Sequence, residues 1–352
     1  MNYHYANQTA LSGLGVTPTN TMNYVLSRTA RIEQSGTALD SDVDKTTTQL
    51  QYLDGLGRNL QGLTWKASPD KTKDILSGLN LYDAYGRAYK SILPTPSDAL
   101  TGEYKSSTES LASTFYGDTS PSTETFFESS PLNRPIKQFG AGQAWRTADK
   151  YVSMEYRIAG SEMVRFDVND NGATARTYPE SSLYNNFTLS ERGFQTLEVK
   201  DRQGKVVAKF QQLEGSFVYM VTGYCYDDLG RLKYVIPPEI YKQFTAGTIT
   251  NFTENDLVFK EGMYGYVYDS RGRQYGRHIP GAGWEYSIFD KNDLVVMRFD
   301  EKEKAENFVR FTKFDALGRM IASGIKTLSS TTTLSAIQTA FDDITTETYE
   351  ET

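Results

Sequence analysis

The sequence predicts a mainly β protein, an array of antiparallel hairpins broken by short helical insertions. Three observations carry that prediction. Six times the chain writes Asp-x-x-Gly followed by Arg or Lys, in most copies behind an aromatic residue. The flanking residues alternate as half-buried strands do, for example Phe217-Val218-Tyr219-Met220-Val221 and Leu232-Lys233-Tyr234-Val235-Ile236. In the second half of the chain the phrases recur at intervals that suit one hairpin each, the footprint of a repeat architecture.

The six copies are YLDGLGR (Asp54, Gly57), YDAYGR (Asp83, Gly86), KDRQGK (Asp201, Gly204), YDDLGR (Asp227, Gly230), YDSRGR (Asp269, Gly272) and FDALGR (Asp315, Gly318). Asp opens a tight turn by capping the backbone two residues on, and Gly takes the left-handed conformation that closes it. Each phrase is therefore read as a hairpin tip. A degenerate copy, FDKNDLVV, opens at Asp290 and has Asp293 where the glycine would stand; Asp tolerates the left-handed region better than most residues. The aromatic and β-branched flanks suit a pleated, half-buried surface.

Three segments follow in chain order. Residues 1–22 are polar, rich in Thr, Asn and Gly, and read as an arm that needs a docking surface to be ordered. The β domain spans 23–326, its first strand beginning near Asn23-Tyr24-Val25-Leu26. Within it the Ser/Thr-rich stretch 97–131 is an ordered excursion, with a helix over Ser107 to Tyr116 and Glu109 in its first turn. A second insertion, near 238–261, follows Pro237-Pro238, with short helices at Glu239 to Phe244 and Glu254 to Lys260; it accounts for the long interval between Asp227 and Asp269. Residues 327–352 hold a last helix, Thr333 to Phe341, and a polar tail after Ile344 without strand pattern.

A length of 352 residues is ample for a sizeable core, and the repeat favours one long architecture over several average domains. The net charge of -7, with Lys and Arg interspersed among Asp and Glu, offers no broad basic face for nucleic acid or anionic lipid. With one cysteine, Cys225, an internal disulfide and Cys-pair zinc sites are excluded; a buried strand residue is its simplest reading. No stretch approaches the roughly 20 apolar residues of a membrane helix, and the first 30 or so residues lack a signal sequence's charged-then-apolar order.

Little in the chain resembles catalytic machinery. The only histidines are His4, in the polar arm, and His278, in a strand pattern beside Arg277. Gly140-Ala141-Gly142 before Trp145 and Gly281-Ala282-Gly283 before Trp284 lack the strand-loop-helix context and lysine of a phosphate loop. They are read as places where backbone passes close to an indole. The recurrent aspartates, as calcium ligands or glycosidase carboxylates, would need singular placement, whereas a turn needs the same residue every time. The Arg after each Gly begins the outgoing strand, where it pairs with a carboxylate or lies along a ring. No cofactor or metal is expected. Tyr264, Tyr266, Tyr268, Tyr275 and the two glycine-tryptophan corners are where a sugar or partner protein would stack on exposed aromatics.

The phrases resemble the YD repeats of RHS proteins, and their arrangement resembles the domain opening the RHS region in proteins of the Bacteroidetes. The matching stretches run from NYVLSRT (Asn23 to Thr29) through SPLNRPIKQFGAGQAW (Ser130 to Trp145), YDDLGRLKYVIPPE (Tyr226 to Glu239) and YDSRGRQYGRHIPGAGWEYSIFDKNDLVV (Tyr268 to Val296) to KFDALGRMIASG (Lys313 to Gly324). The resemblance implies a spiralling antiparallel sheet that in longer relatives closes into a shell around a C-terminal toxin or effector. This chain departs from the full pattern: it has too few repeats to close a shell, no aspartate-proline self-cleavage motif and no variable effector domain. The expectation is a piece of a longer protein, or a short relative whose sheet edges are covered by further RHS repeats or by a partner protein.

Taken together, the sequence is read as a non-enzymatic structural and interaction module of an exported, secreted or surface-displayed bacterial protein related to polymorphic toxins, with secretion machinery among its implied partners. The rival reading is a surface adhesin that binds glycan or protein through an aromatic face; an acid-base glycosidase is the remote one.

Overall fold

A computed structural model describes residues 15–34, 39–97, 99–159, 163–213, 216, 218–327 and 338–339. His4, Phe217 and the polar tail after Ile344 lie outside the described residues, as does the expected helix Thr333 to Phe341 except for 338–339. The chain divides into two compact units, Met1–Glu155 with Thr188–Phe194, and Tyr156–Phe187 with Gln195–Thr352. Both are built of antiparallel strands, as the alternating pattern requires.

In the first unit the chain runs β1 (Asn23–Ala30), β2 (Thr46–Leu53), β3 (Asn59–Thr64), β4 (Ile75–Ser77), β5 (Leu79–Tyr82), β6 (Ala88–Ile92), β7 (Thr95–Pro96), α1 (Thr108–Tyr116), β8 (Ser122–Phe127), β9 (Pro135–Phe139) and α2 (Gln143–Thr147). One sheet has the order β1-β2-β3-β4-β7, and β9-β8-β6-β5 belong to another. β2 alternates strictly, burying Thr46, Thr48, Leu50 and Tyr52. Its inward residues meet Leu26, Leu63, Trp65, Leu76, Leu79 and Ile92, with Ala112 of α1 closing the core. The Tyr52 hydroxyl donates to the Gly102 carbonyl at 2.5 Å and accepts from the Thr19 N–H at 3.1 Å. Described residues of the polar arm are thus docked: Val16 is in the core and Thr17 donates to the Thr101 carbonyl. The helix α1 forms with Glu109 in its first turn, although the Ser107 side chain makes no capping hydrogen bond.

β10 (Val152–Ala159) begins beside β9 and leads into the second unit. There follow β11 (Val164–Asn169), β12 (Gly172–Thr177), β13 (Leu183–Leu189), β14 (Gln195–Lys200), β15 (Val206–Gln212), β16 (Tyr219–Tyr226), β17 (Leu232–Ile236), α3 (Pro238–Thr245), β18 (Asn251–Thr253) and α4 (Leu257–Gly262). Next come β19 (Tyr264–Tyr268), β20 (Gln274–Ile279), β21 (Gly283–Phe289), β22 (Val295–Asp300), α5 (Glu301–Ala305), β23 (Phe308–Phe314) and β24 (Met320–Thr327). From β14 to β24 successive strands are neighbours, except that β17 pairs directly with β19. The intervening α3-β18-α4 insertion leaves the sheet, and β18 joins β12 and β11 in a small second one. A Cβ at Gly172 would stand 2.0 Å from the Phe252 carbonyl oxygen, so β18 approaches β12 only because that position is glycine. The insertion's Tyr241, Phe244, Phe252, Phe259 and Met263 cover Cys225, Tyr234 and Ile236 of β16 and β17. α4 starts later than the expected Glu254, because Thr253 and Asp256 form a turn first. Among the described residues no helix is long and apolar enough to cross a membrane.

Candidate functional site

The six phrases share one geometry. At each tip the Asp N–H donates to the carbonyl four residues on, and the Gly N–H donates back to the Asp carbonyl. Oδ1 of Asp54, Asp83, Asp201, Asp227, Asp269 and Asp315 accepts the N–H of the Arg or Lys four residues on, at 2.8 to 2.9 Å. Gly57, Gly86, Gly204, Gly230, Gly272 and Gly318 have φ of 78°, 81°, 82°, 79°, 80° and 76°, the left-handed region that closes a type I turn with a bulge. Asp293, in the degenerate copy, takes the same conformation at 64°, and Asp290 Oδ1 accepts from Asn292 and Leu294. The register slips by one residue just before each turn, so the side chain preceding Asp is re-aimed along the sheet.

At Tyr82, Phe127, Tyr226, Tyr268 and Phe289 that side chain meets the preceding tip. In the five Arg copies the Arg Nε donates to its own Asp Oδ2 at 2.6 to 2.7 Å. Held there, the Arg58 guanidinium lies 4.4 Å over the Tyr82 ring, Arg87 4.6 Å over Phe127, Arg231 4.8 Å over Tyr268 and Arg273 4.9 Å over Phe289; Lys205 lies 5.3 Å over Tyr226. The covered tyrosines reach back: Tyr82, Tyr226 and Tyr268 donate their hydroxyls to the carbonyls of Asn59, Val206 and Leu232, each the residue just after the covering cation. Arg87 and Arg273 also donate to the carbonyls of Glu128 and Asp290, the residues that open the next turns. In these five contacts each part of the phrase has a use: Asp bends, Gly closes, the cation covers, and the aromatic residue before the next turn is what it covers.

Two further tips follow the same plan without the six-copy spelling. At Ser190-Glu191-Arg192-Gly193 the serine hydroxyl accepts from the Phe194 N–H at 3.0 Å, Gly193 N–H donates to the Ser190 carbonyl, and Gly193 has φ 84°. Between β8 and β9, Asn133 takes φ 55° and Arg134 pairs with Glu128 through Nε and Nη2 at 2.9 and 2.8 Å. The signal was present as Ser-x-x-Gly and as Ser-x-x-Asn-Arg, since a hydroxyl caps a turn as a carboxylate does.

The turns also set electrostatics. For Asp54 and Asp315 the N–H and guanidinium of the following Arg hold the carboxyl below its ordinary range. At Asp83, Asp227 and Asp269 burial pushes the other way and is outweighed by the same hydrogen bonds. Folded values below unfolded ones stabilise the protein above the unfolded value, about pH 4, and that contribution is lost as pH falls through the lowered values. A melting temperature that is flat from pH 7 to 5 and drops below about pH 4 is the expected profile; calorimetry on Asp227→Asn should show a shallower acid limb.

The other residues singled out by sequence occupy structural positions. His278 is buried, its Nδ1 3.0 Å from the Met263 carbonyl and its ring stacked 4.3 Å from Phe259. Cys225 is buried in the same unit, and burial pushes its thiol far up. Gly140 and Gly142 do lie against the Trp145 indole, whereas a Cβ at Gly281 would meet only Glu261, and one at Gly283 would crowd the Glu301 side chain. Trp284 stacks on Tyr286 and Tyr268 sits under Arg231, while Tyr264 and Trp145 remain exposed. Of the expected aromatic positions, Tyr268, Tyr275 and Trp284 make internal contacts. The six turn aspartates are not gathered into one place; each is engaged by its own turn.

A family model described as a domain of unknown function, DUF6443, matches residues 26–158. No curated protein matches the chain in sequence. Among solved structures, the crystal structure of TcdB2-TccC3-TEV is similar at a TM-score of 0.53 and 14% identity, over 86% of this chain and 13% of that one. TcdB2-TccC3-Cdc42 is similar at 0.53 and 15%, over 88% of this chain and 14% of that one. At that identity the likeness is one of fold. The mainly β, antiparallel hairpin architecture is shared with a small part of much longer chains, and this chain spans about 13% of their length.

Proposed function

We propose that this chain is a non-enzymatic structural and interaction module of a YD-repeat protein of the Bacteroidetes RHS type, exported to the cell surface or medium. Its sheet forms part of a β-wall that encloses or presents another segment or a partner. The observation that carries this reading is the serial tip contact. Five turns are tied to the next by a cation over a ring, a guanidinium in four and the Lys205 ammonium in one, and in three cases also by a tyrosine hydroxyl, which stiffens those hairpins against one another. The turn carboxylates are consumed in that work, so the acid-base glycosidase reading has no support from them. The fold neighbours support the carrier role by their names, in which the same TcdB2-TccC3 pair is joined to TEV or to Cdc42.

The reading makes β24 a docking edge. Met320, Ile321 and Ile325 on that strand are 66%, 64% and 69% exposed, an apolar edge of the kind proteins cover. Extending the chain in cis with one more aromatic-Asp-x-x-Gly-Arg hairpin should slow hydrogen exchange of the β24 amides. If β24 exchanges as fast in the extended chain as in the original, the wall-module reading fails.

A further inference from the structure

We infer that the outer edge of β24 is a half-formed tip contact whose missing half is a partner strand that places an aromatic residue, preferably tyrosine, directly before a turn-opening aspartate. The inference rests on β24 being a docking edge and names what docks there. Arg319 repeats the geometry of its counterparts, with Nε 2.7 Å from Asp315 Oδ2 and its backbone N–H on Asp315 Oδ1. Its environment differs. The side chains of Arg58, Arg87, Arg231 and Arg273, each covering a ring, are 31%, 18%, 29% and 10% exposed, whereas that of Arg319 is 73% exposed. Among the described residues no ring lies beneath it.

The acceptor half is in place too. Met320 follows Arg319 as Asn59 follows Arg58 and Leu232 follows Arg231, and Phe314↔Met320 repeats the register of Leu53↔Asn59 and Tyr226↔Leu232. In those earlier tips the carbonyl of that residue receives a tyrosine hydroxyl from the next hairpin. A planar cation held rigidly by its own carboxylate, one carbonyl beside it and an apolar strand edge select an antiparallel strand carrying a ring with a hydroxyl. A second copy of this chain is a poor source: Tyr82, Phe127, Tyr226, Tyr268 and Phe289 already lie under their own cations, and Phe314, which no described cation covers, is packed against its own core and has no hydroxyl to donate to the Met320 carbonyl. The occupant is therefore a hairpin from a different polypeptide or segment with a free ring at that position.

The test titrates the full chain with a synthetic peptide of the sequence of residues 263–280, in which Tyr268 precedes Asp269, and reads affinity by calorimetry and protection by hydrogen exchange. Protection should be confined to the β24 edge. Tyr268→Ala in the peptide and Arg319→Ala in the chain should each weaken binding roughly tenfold, and Tyr268→Phe by a few-fold for the lost hydroxyl bond. Arg319→Lys should retain part of the affinity, as the Lys205 tip does. Protection of β24 that is indifferent to Tyr268→Ala and Arg319→Ala overturns the tip contact but leaves an edge that docks strands. No protection by any peptide overturns both.

Discussion

Asp269→Ala is expected to lower the unfolding free energy by about 3 kcal/mol, the largest loss of any tip. Asp269 and Arg273 have side chains only 13% and 10% exposed. Removing the carboxylate deletes the bonds to the N–H groups of Arg271 and Arg273 and to the Arg273 Nε. The guanidinium stays enclosed between the Phe289 ring, the Asp290 carbonyl and Asp293, with its charge only partly compensated. A half-desolvated cation that loses its carboxylate costs more than the same deletion at the surface. Asp315→Ala removes equivalent bonds but leaves Arg319 in water, so its loss should be distinctly smaller. Urea unfolding of the full chain measures both. Equal losses at the two sites would mean that burial of the tip contact contributes nothing.

The contrast between these two tips marks what the sequence discloses. The turn is a local object: Asp, Gly and the spacing between them act within five residues, so the hairpin tips and even the left-handed Asp293 can be read from one strand of text. The contact between tips is not local. Arg58 and Tyr82, or Arg231 and Tyr268, meet only because the sheet sets successive hairpins side by side, and nothing in a single copy says which ring an arginine will cover. For the same reason Tyr268 reads as a free aromatic in the sequence and proves to be covered. The Ser190 tip escaped because the pattern was drawn around a carboxylate, whereas the backbone N–H asks only for an oxygen. The buried Asp74, which accepts from the N–H groups of Lys66 and Gly102, left no mark at all, since its partners are backbone and carry no sequence signal.

Phe259→Ala should cost about 4 kcal/mol and is the strongest test of how the insertion belongs to the sheet. Phe259, within α4, is fully buried. Its ring stacks 4.3 Å from His278 on β20, lies 6.1 Å from Phe252 on β18 and 5.7 Å from Tyr234 on β17. It also fills space that Gly265 on β19 leaves open, where a Cβ would stand 2.9 Å from the Phe259 Cζ. One side chain thus joins three adjacent strands to the small second sheet, and its removal leaves a cavity that glycine cannot help to close. Gly265→Ala tests the same fit from the other side, overpacking the site at a cost of about 1 to 3 kcal/mol. If Phe259→Ala lost less than about 2 kcal/mol with an unchanged denaturant slope, the insertion would be an appendage laid on the sheet. A full loss would make the insertion an integral cover of one sheet face, held by the Phe259 ring.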